Sequence, residues 1–254
     1  MKISVNCPSY KRPRVETLDY LPFCKVWVST EELEAYQEQN PDANFEVLHS
    51  KQGNVSRVRN EILDREFKAG ADVVCIVDDD LKGIYHYEKC EHNAFGYEKH
   101  LVTADEFEEF IYKHTIMCQD IGFYLWGVNL NQDNRVYKHS SPINTTAIIL
   151  GPFSCHLKGS EIRYDERIPL KEDYDLAIQH LNKYRGILRM NKFHYVCKQS
   201  VQAGGCASIR NYKTEKEQFD LLVKKWGSDI IQEDKRSKKK FDYNPIIKIP
   251  IKGV

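Results

Sequence analysis

No run in this 254-residue sequence approaches the ~20 consecutive apolar residues that cross a bilayer, so a helical membrane span is excluded. The start of the chain also lacks the apolar stretch and small-residue cleavage site of a secretory signal, which makes the cytoplasm the expected compartment. No C-x-x-C pair occurs: Cys7, Cys24, Cys75, Cys90, Cys118, Cys155, Cys197 and Cys206 are scattered, which argues against a zinc finger and for reduced thiols. Cys75, inside an apolar run, reads as a small buried hydrophobe. Net charge is absent as well, with 37 Lys and Arg against 37 Asp and Glu, so no global basic field announces nucleic acid.

Hydrophobic content of 41% and charged content of 29% suit a globular chain, and its length suits one large α/β domain or a domain with an appendage. Charge is uneven, with 12 Lys and Arg against 7 Asp and Glu from Val201 onward. The densest part, Lys235, Arg236, Ser237, Lys238, Lys239 and Lys240, reads either as a phosphate-holding segment or as a solvated tail. There is no internal repeat.

Short apolar runs at 3–7, 26–29, 45–48 and 73–77 read as strands. A helix opens at Gly53 and Asn54, carries Val55, Val58, Ile62 and Phe67 near one face, and stops before Gly70. This is a β-α-β pattern with a parallel sheet. Thr103 and Glu106 resemble a capping box for a helix through Phe107, Phe110, Ile111 and Met117. Strands are expected at 123–130, 144–150, 153–157 and 187–196, and a helix at 173–184 ended by Gly186. The predicted fold class is a Rossmann-like mixed sheet flanked by helices.

The strongest chemical signal is the apolar strand Val73–Val77 ending abruptly in Asp78, Asp79 and Asp80. Ligands in open α/β sheets bind beyond the carboxyl ends of strands. Two like charges ~4 Å apart repel by about 4 kcal/mol at an effective dielectric near 20, so such a cluster calls for a cation. Oxygen ligands suit Mg²⁺ or Mn²⁺, with diphosphate oxygens completing the shell. A solvated acidic turn is the structural alternative.

Three stretches, in order, resemble the nucleotide-sugar half of GT-A glycosyltransferases: Ile3 through Pro13, the helix segment Asn54 through Asn60, and the acidic triplet, a DxD-like motif. The resemblance implies that Pro8, Ser9, Tyr10 and Arg12 enclose the base of a nucleoside diphosphate sugar, UDP-sugar being the favoured donor. It places Arg57 and Asn60 toward base, ribose or diphosphate, with an exposed helix face as the alternative for Arg57 and Arg59, Asp78 at the ribose and the metal, and Asp80 at the metal. Asp79 stays ambiguous, because three consecutive acids offer two registers. The segment Leu170 to Leu176 is similar to the Glu-Asp motif of inverting members, which implies Asp173 as general base and Glu172 or Asp175 as the group positioning the acceptor or a neighbouring loop. Helix-dipole complementation accounts equally for acids there. His194 is the implied late histidine ligand, with a packed or surface histidine as the alternative. Gly204 and Gly205 read as a loop closing over the donor or a tight turn, and Trp126 as acceptor cleft or core.

The whole pattern looks like phage glycosyltransferases associated with TET/JBP-type DNA base oxygenases, over residues 1–210. That implies bacteriophage DNA modification in a host cytoplasm, with hydroxymethylated DNA as partner and 5-hydroxymethylpyrimidine as acceptor. The implied organisation is a glycosyltransferase domain at 1–210, split into a nucleotide-sugar half (1–100) and an acceptor half (101–210), then a helical and basic extension at 211–254. A saccharide or protein acceptor is the alternative. A nucleotidyltransferase is disfavoured because residues 7–13 contain no glycine for a phosphate loop, and a noncatalytic nucleic-acid-binding protein leaves the three aspartates without a cause.

Overall fold

In a computed structural model, residues 1–92, 96–133, 135–198, 205–208, 210–234 and 243–249 are described. The chain forms β1 (Ile3–Pro8), β2 (Lys25–Val28), α1 (Leu33–Gln39), β3 (Asn44–Val47), α2 (Val55–Lys68), β4 (Val73–Val77), β5 (Leu81–Lys89), β6 (Tyr97–Leu101) and α3 (Phe107–Asp120). It continues through β7 (Leu125–Asn129), β8 (Ile143–Asn144), β9 (Phe153–Leu157), α4 (Glu172–Tyr184), β10 (Leu188–Cys197), α5 (Tyr212–Trp226), β11 (Ile231–Glu233) and β12 (Pro245–Ile247).

One mixed sheet runs in the order β3-β2-β1-β4-β9-β7-β10-β5-β6, with β8 on β10. The β3-β2-β1-β4 half is parallel, β9 lies antiparallel between β4 and β7, and β10 runs parallel to β7. Alternation along β4 builds both layers. Val73, Cys75 and Val77 face a core shared with Phe107, Phe110 and Ile111 of α3, while Val74 and Ile76 face Ile62 and Leu63 of α2 and Leu176, Ala177 and Leu181 of α4. A strand buried on both faces is apolar throughout, as the sequence of β4 is. The α/β mixed-sheet class expected from the sequence is the one observed.

Local chemistry explains most element ends. Asn54 caps α2 by accepting from Arg57 N, and Gly70, at φ +92°, follows its end. Three expectations are corrected, and the alternatives left open for Trp126 are decided. Glu106 reaches back to Thr103 N (2.9 Å), but no side chain of Thr103 caps α3, so only half the capping box forms. The strand expected at 144–150 stops at Asn144, whose Oδ1 accepts from Thr146 N (2.8 Å) and Ala147 N (2.7 Å) and curls the chain into a turn. The left-handed residue ending α4 is Arg185 (φ +67°), and Gly186 is needed for space instead, since a Cβ there would stand 1.9 Å from the Phe123 ring. Trp126 is core, its Nε1 donating to Thr115 Oγ1 (3.0 Å). The β5-β6 hairpin was not anticipated: its partly exposed, charged sequence lacks an apolar run. Cys7, Cys24, Cys75, Cys90, Cys118, Cys155 and Cys197 are free thiols.

Helix α5 packs through Leu222 on Ile178 of α4. Buried Lys171 reaches back from the start of α4 to Glu215 of α5 and to Asn244 (3.3 Å). Helix α5 and Asn244 are thereby joined to the main sheet through α4.

Candidate active site

Parallel β1 and β4 carry their carboxyl ends to the same edge, so the loop after Pro8 meets the acidic triplet after Val77. Asp79 turns inward. It accepts from Ser9 Oγ (2.6 Å) and pairs with Arg12 Nη1 (2.7 Å). Tyr36 tightens the same loop, its hydroxyl lying 2.9 Å from Ser9 Oγ and accepting from Arg12 N at 3.0 Å. Burial raises the Asp79 carboxyl, and Arg12 opposes that shift. Asp79 therefore ties the Pro8 to Arg12 loop in place, a division of labour the three-acid run leaves undecided.

Its two neighbours differ. Asp78, 34% exposed, accepts from Arg59 Nη2 at 2.9 Å. Asp80 forms no salt bridge among the described residues, and burial followed by the like charges of Asp78 and Asp79 pushes it up to about 6. A carboxylate so destabilised is prepared to exchange its proton for a cation.

Arg59 extends across to the start of α4. The guanidinium, 3% exposed, donates Nη1 to Glu172 (2.9 Å) and Nη2 to Asp78 and, at 3.3 Å, to Gly151 O. A Cβ at Gly151 would stand 3.1 Å from Arg59 Nη2, so the β9 approach loop comes this close because glycine is there. Next to Glu172, Asp173 accepts from Gly151 N (3.2 Å) and Tyr174 N (2.8 Å). Burial holds both carboxyls above the ordinary range; the charge of Asp173 raises Glu172 further, while Arg59 pulls both down.

These groups line one cavity of about 420 Å³, within the range of small-ligand sites. Pro8, Ser9, Tyr10, Arg12, Asp78, Asp79, Asp80, Glu172 and Asp173 all border it. Arg57, Asn60 and His194 do not. Arg57 pairs with Glu166 (2.8 Å), and Asn60 clips the backbone of Tyr164 through both ends of its amide (2.9 and 2.8 Å). His194 is buried in β10, stacked on Tyr87 and Tyr85 at 4.8 and 5.7 Å between ring centres, and burial pushes it down to about 4. Its neighbours are aromatic, not the carboxylates. Asp175 also points away, held by Trp226 Nε1 and Lys225 (both 2.8 Å), which leaves Glu172 as the acid beside Asp173.

Tyr195, Arg210 and Asn244, which the sequence reading did not single out for the site, also line the cavity, as does Arg59 of the Asn54–Asn60 segment. A signal for Arg59 existed: Ser56, Arg59, Ile62, Leu63 and Glu66 form the buried stripe of α2, and an arginine there requires partners. Gly205 N donates to Tyr10 O (2.8 Å) and borders the cavity, whereas Ala203 and Gly204 lie outside the described residues. Among the described residues, no three His, Cys, Asp or Glu side chains form a metal cage by themselves. Mg²⁺ and Mn²⁺ sites completed by substrate phosphates need only one or two carboxylates, and Asp80 with Asp78 supplies that oxygen-only set.

Among solved structures, the chain is similar to residues 1–349 of Staphylococcus aureus TarS, with 15% identity, a TM-score of 0.45, and coverage of 88% of this chain and 66% of that one. It is also similar to Mycobacterium tuberculosis glucosyl-3-phosphoglycerate synthase in complex with Mn²⁺, UDP-glucose and phosphoglyceric acid, with 12% identity, a TM-score of 0.49, and coverage of 92% and 84%. No curated protein matches the sequence. Residues 23–205, which run from the strand before the first helix through the acidic triplet and the Glu172–Asp173 pair to the cavity rim at Gly205, match the family described as TET-Associated Glycosyltransferase. The chain is a glycosyltransferase belonging to that family.

Proposed function

We propose that this enzyme transfers a sugar from a nucleoside diphosphate, UDP-sugar being the favoured donor, to the hydroxyl of a 5-hydroxymethylpyrimidine in DNA, with Mn²⁺ or Mg²⁺ at Asp78 and Asp80. The observation that carries this reading is the Arg59 bridge, which holds Asp78 of the acidic triplet and Glu172, the neighbour of Asp173, together in one cavity. The known bound ligands of the mycobacterial synthase, UDP-glucose with Mn²⁺, accord with the proposed donor chemistry.

In this reading, Pro8, Ser9, Tyr10 and Arg12 enclose the base, and Asp79 holds that loop through Ser9 and Arg12. When bound, the divalent ion would offset the charge of the departing diphosphate as a Lewis acid. Asp173 accepts the proton of the acceptor hydroxyl as its oxygen bonds to the anomeric carbon and the nucleoside diphosphate leaves. A carboxyl raised by burial is a stronger base than an exposed one, and Arg59 opposes that rise in both acids. Glu172, fixed by Arg59, orients the start of α4.

The chemistry of the base and the family description, TET-Associated Glycosyltransferase, support a DNA acceptor. Hydroxymethylation creates a nucleophilic oxygen that an unmodified pyrimidine lacks. Bringing such a base to Asp173 costs a few kcal/mol of unstacking, which phosphate contacts can offset. The basic residues 235–240 are suited to those contacts and lie outside the described residues.

The test is mass spectrometry of hydroxymethylated and unmodified DNA incubated with enzyme, Mn²⁺ or Mg²⁺ and a panel of nucleotide sugars. Sugar mass is expected on hydroxymethylated DNA alone. Transfer to a saccharide or protein acceptor, with none to DNA, would overturn the acceptor assignment and leave the glycosyltransferase.

A further inference from the structure

Tyr195 lies on β10 with its Cα opposite Ile84 of β5. Its ring belongs to the core around Val77 and Trp126, and the residue is 1% exposed, yet it lines the cavity. The ring is therefore anchored in apolar packing while its edge reaches the site. Buried tyrosine hydroxyls normally find partners. Tyr20 donates to Val102 O (2.6 Å), Tyr36 engages Ser9 and Arg12, and Tyr164 meets His156 at 3.2 Å. The Tyr195 hydroxyl makes no hydrogen bond among the described residues. Tyr137 shares that property, but its hydroxyl is sealed in protein and does not border the cavity.

The environment also says what kind of partner is missing. Burial, then the acidic groups of Cys197, Asp78 and Asp173, push the Tyr195 phenol well up, so it stays protonated and can donate. Tyr195 lines the same cavity as Asp78 of the acidic triplet and Asp173 at the start of α4. In the glycosyl-transfer reading, on which this inference rests, that cavity holds the transferred sugar.

We propose that the Tyr195 hydroxyl donates a hydrogen bond to one hydroxyl oxygen of the transferred sugar and thereby contributes to donor choice. Tyr195 is a binding and specificity residue in this scheme, distinct from the groups that hold the nucleotide or move the proton.

Tyr195→Phe tests this, because it removes one oxygen and leaves the ring that fills the core. The probe is the nucleotide sugar that supports transfer in a donor panel beginning with UDP-glucose, together with its monodeoxy analogues and the sugar-free nucleoside diphosphate. With a melting temperature near that of wild type, the variant is expected to lose about tenfold in kcat/KM on the intact sugar, as one hydrogen bond warrants. The loss should vanish for a single deoxy analogue, the signature of two groups in direct contact, and affinity for the nucleoside diphosphate should not change. Unchanged kcat/KM on the intact sugar overturns the assignment. So does an equal loss on every deoxy analogue, or an equal loss in nucleoside diphosphate binding. Wild-type protein that transfers no sugar would overturn the glycosyl-transfer reading and this inference with it, whereas wild-type transfer beside an indifferent Tyr195→Phe would sink this inference alone.

Discussion

At Arg59 the two walls of the cavity meet: one guanidinium holds Asp78 with Nη2 and Glu172 with Nη1. A lysine keeps the charge but not the fork, so Arg59→Lys should retain one of these contacts at most. Losing a charge-assisted hydrogen bond of ~1.5–3 kcal/mol predicts a roughly tenfold to hundredfold fall in kcat/KM. The sign of the pH effect also follows. Arg59 lowers the affinity of the Glu172–Asp173 pair for its proton, so weakening its hold raises that affinity, and the acidic limb of the pH-rate profile should move to higher pH. A limb that stays in place would show that Arg59 does not tune the pair. Asp173→Asn should leave donor binding by calorimetry intact while transfer falls by about 10² to 10⁴, the range for losing a positioned base. Near-normal transfer by the folded variant would return Asp173 to the role of a helix N-terminal charge.

Among the elements, α4 joins the chemistry to the stability of the molecule. Its first turn carries Glu172 and Asp173, its apolar face packs on the sheet through Leu176 and Leu181, and its end passes Gly186 against Phe123. Gly186→Ala forces a methyl group into the Phe123 ring, and overpacking of this kind costs about 1–3 kcal/mol. A lower melting temperature is expected, measured by circular dichroism, with donor affinity preserved if α4 keeps its register. Sequence periodicity located α4 within one residue of its start, and it also located β4 and α2, because each has a strong apolar pattern with turn or capping residues at its ends. It did not reveal α1 or the β5-β6 hairpin, whose short or charged sequences become regular only through tertiary pairing.

For the molecule as a whole, the acidic triplet couples folding to protons and, in the proposed function, to cations. The folded-state carboxyl of Asp80 lies at about 6, above its ordinary value of 3.8. Its stabilising contribution is therefore fully present below about pH 4 and is lost as pH rises through 6. A cation that replaces the proton should restore stability on the alkaline side. The rise in melting temperature produced by Mn²⁺ with UDP should accordingly be larger at pH 7.5 than at pH 5, read by thermal denaturation at matched ionic strength. An equal rise at both pH values, or none, would count against Asp80 as a metal ligand. In Asp80→Asn the pH dependence of that rise should be abolished.

What the sequence determined by itself is local: an apolar strand running into three carboxylates, a capped helix after it, and an acidic turn opening a later helix, each written in contiguous residues with a period of two or 3.6. Those patterns were enough for the α/β class, whereas the residues of the loop after β1 were singled out by the resemblance. Only the tertiary structure decided which acids act together. Asp173 and Asp175 are two residues apart on one helix, hence about 200° apart around its axis, and packing against α5 assigned Asp175 to Trp226 and Lys225 while Asp173 faces the cavity. It likewise turned Asp79 inward to Arg12, left His194 among aromatic rings, and brought Arg59 to Glu172 across 113 residues of chain. Contacts at that separation depend on how layers pack, and no local periodicity encodes the partner of a buried charge.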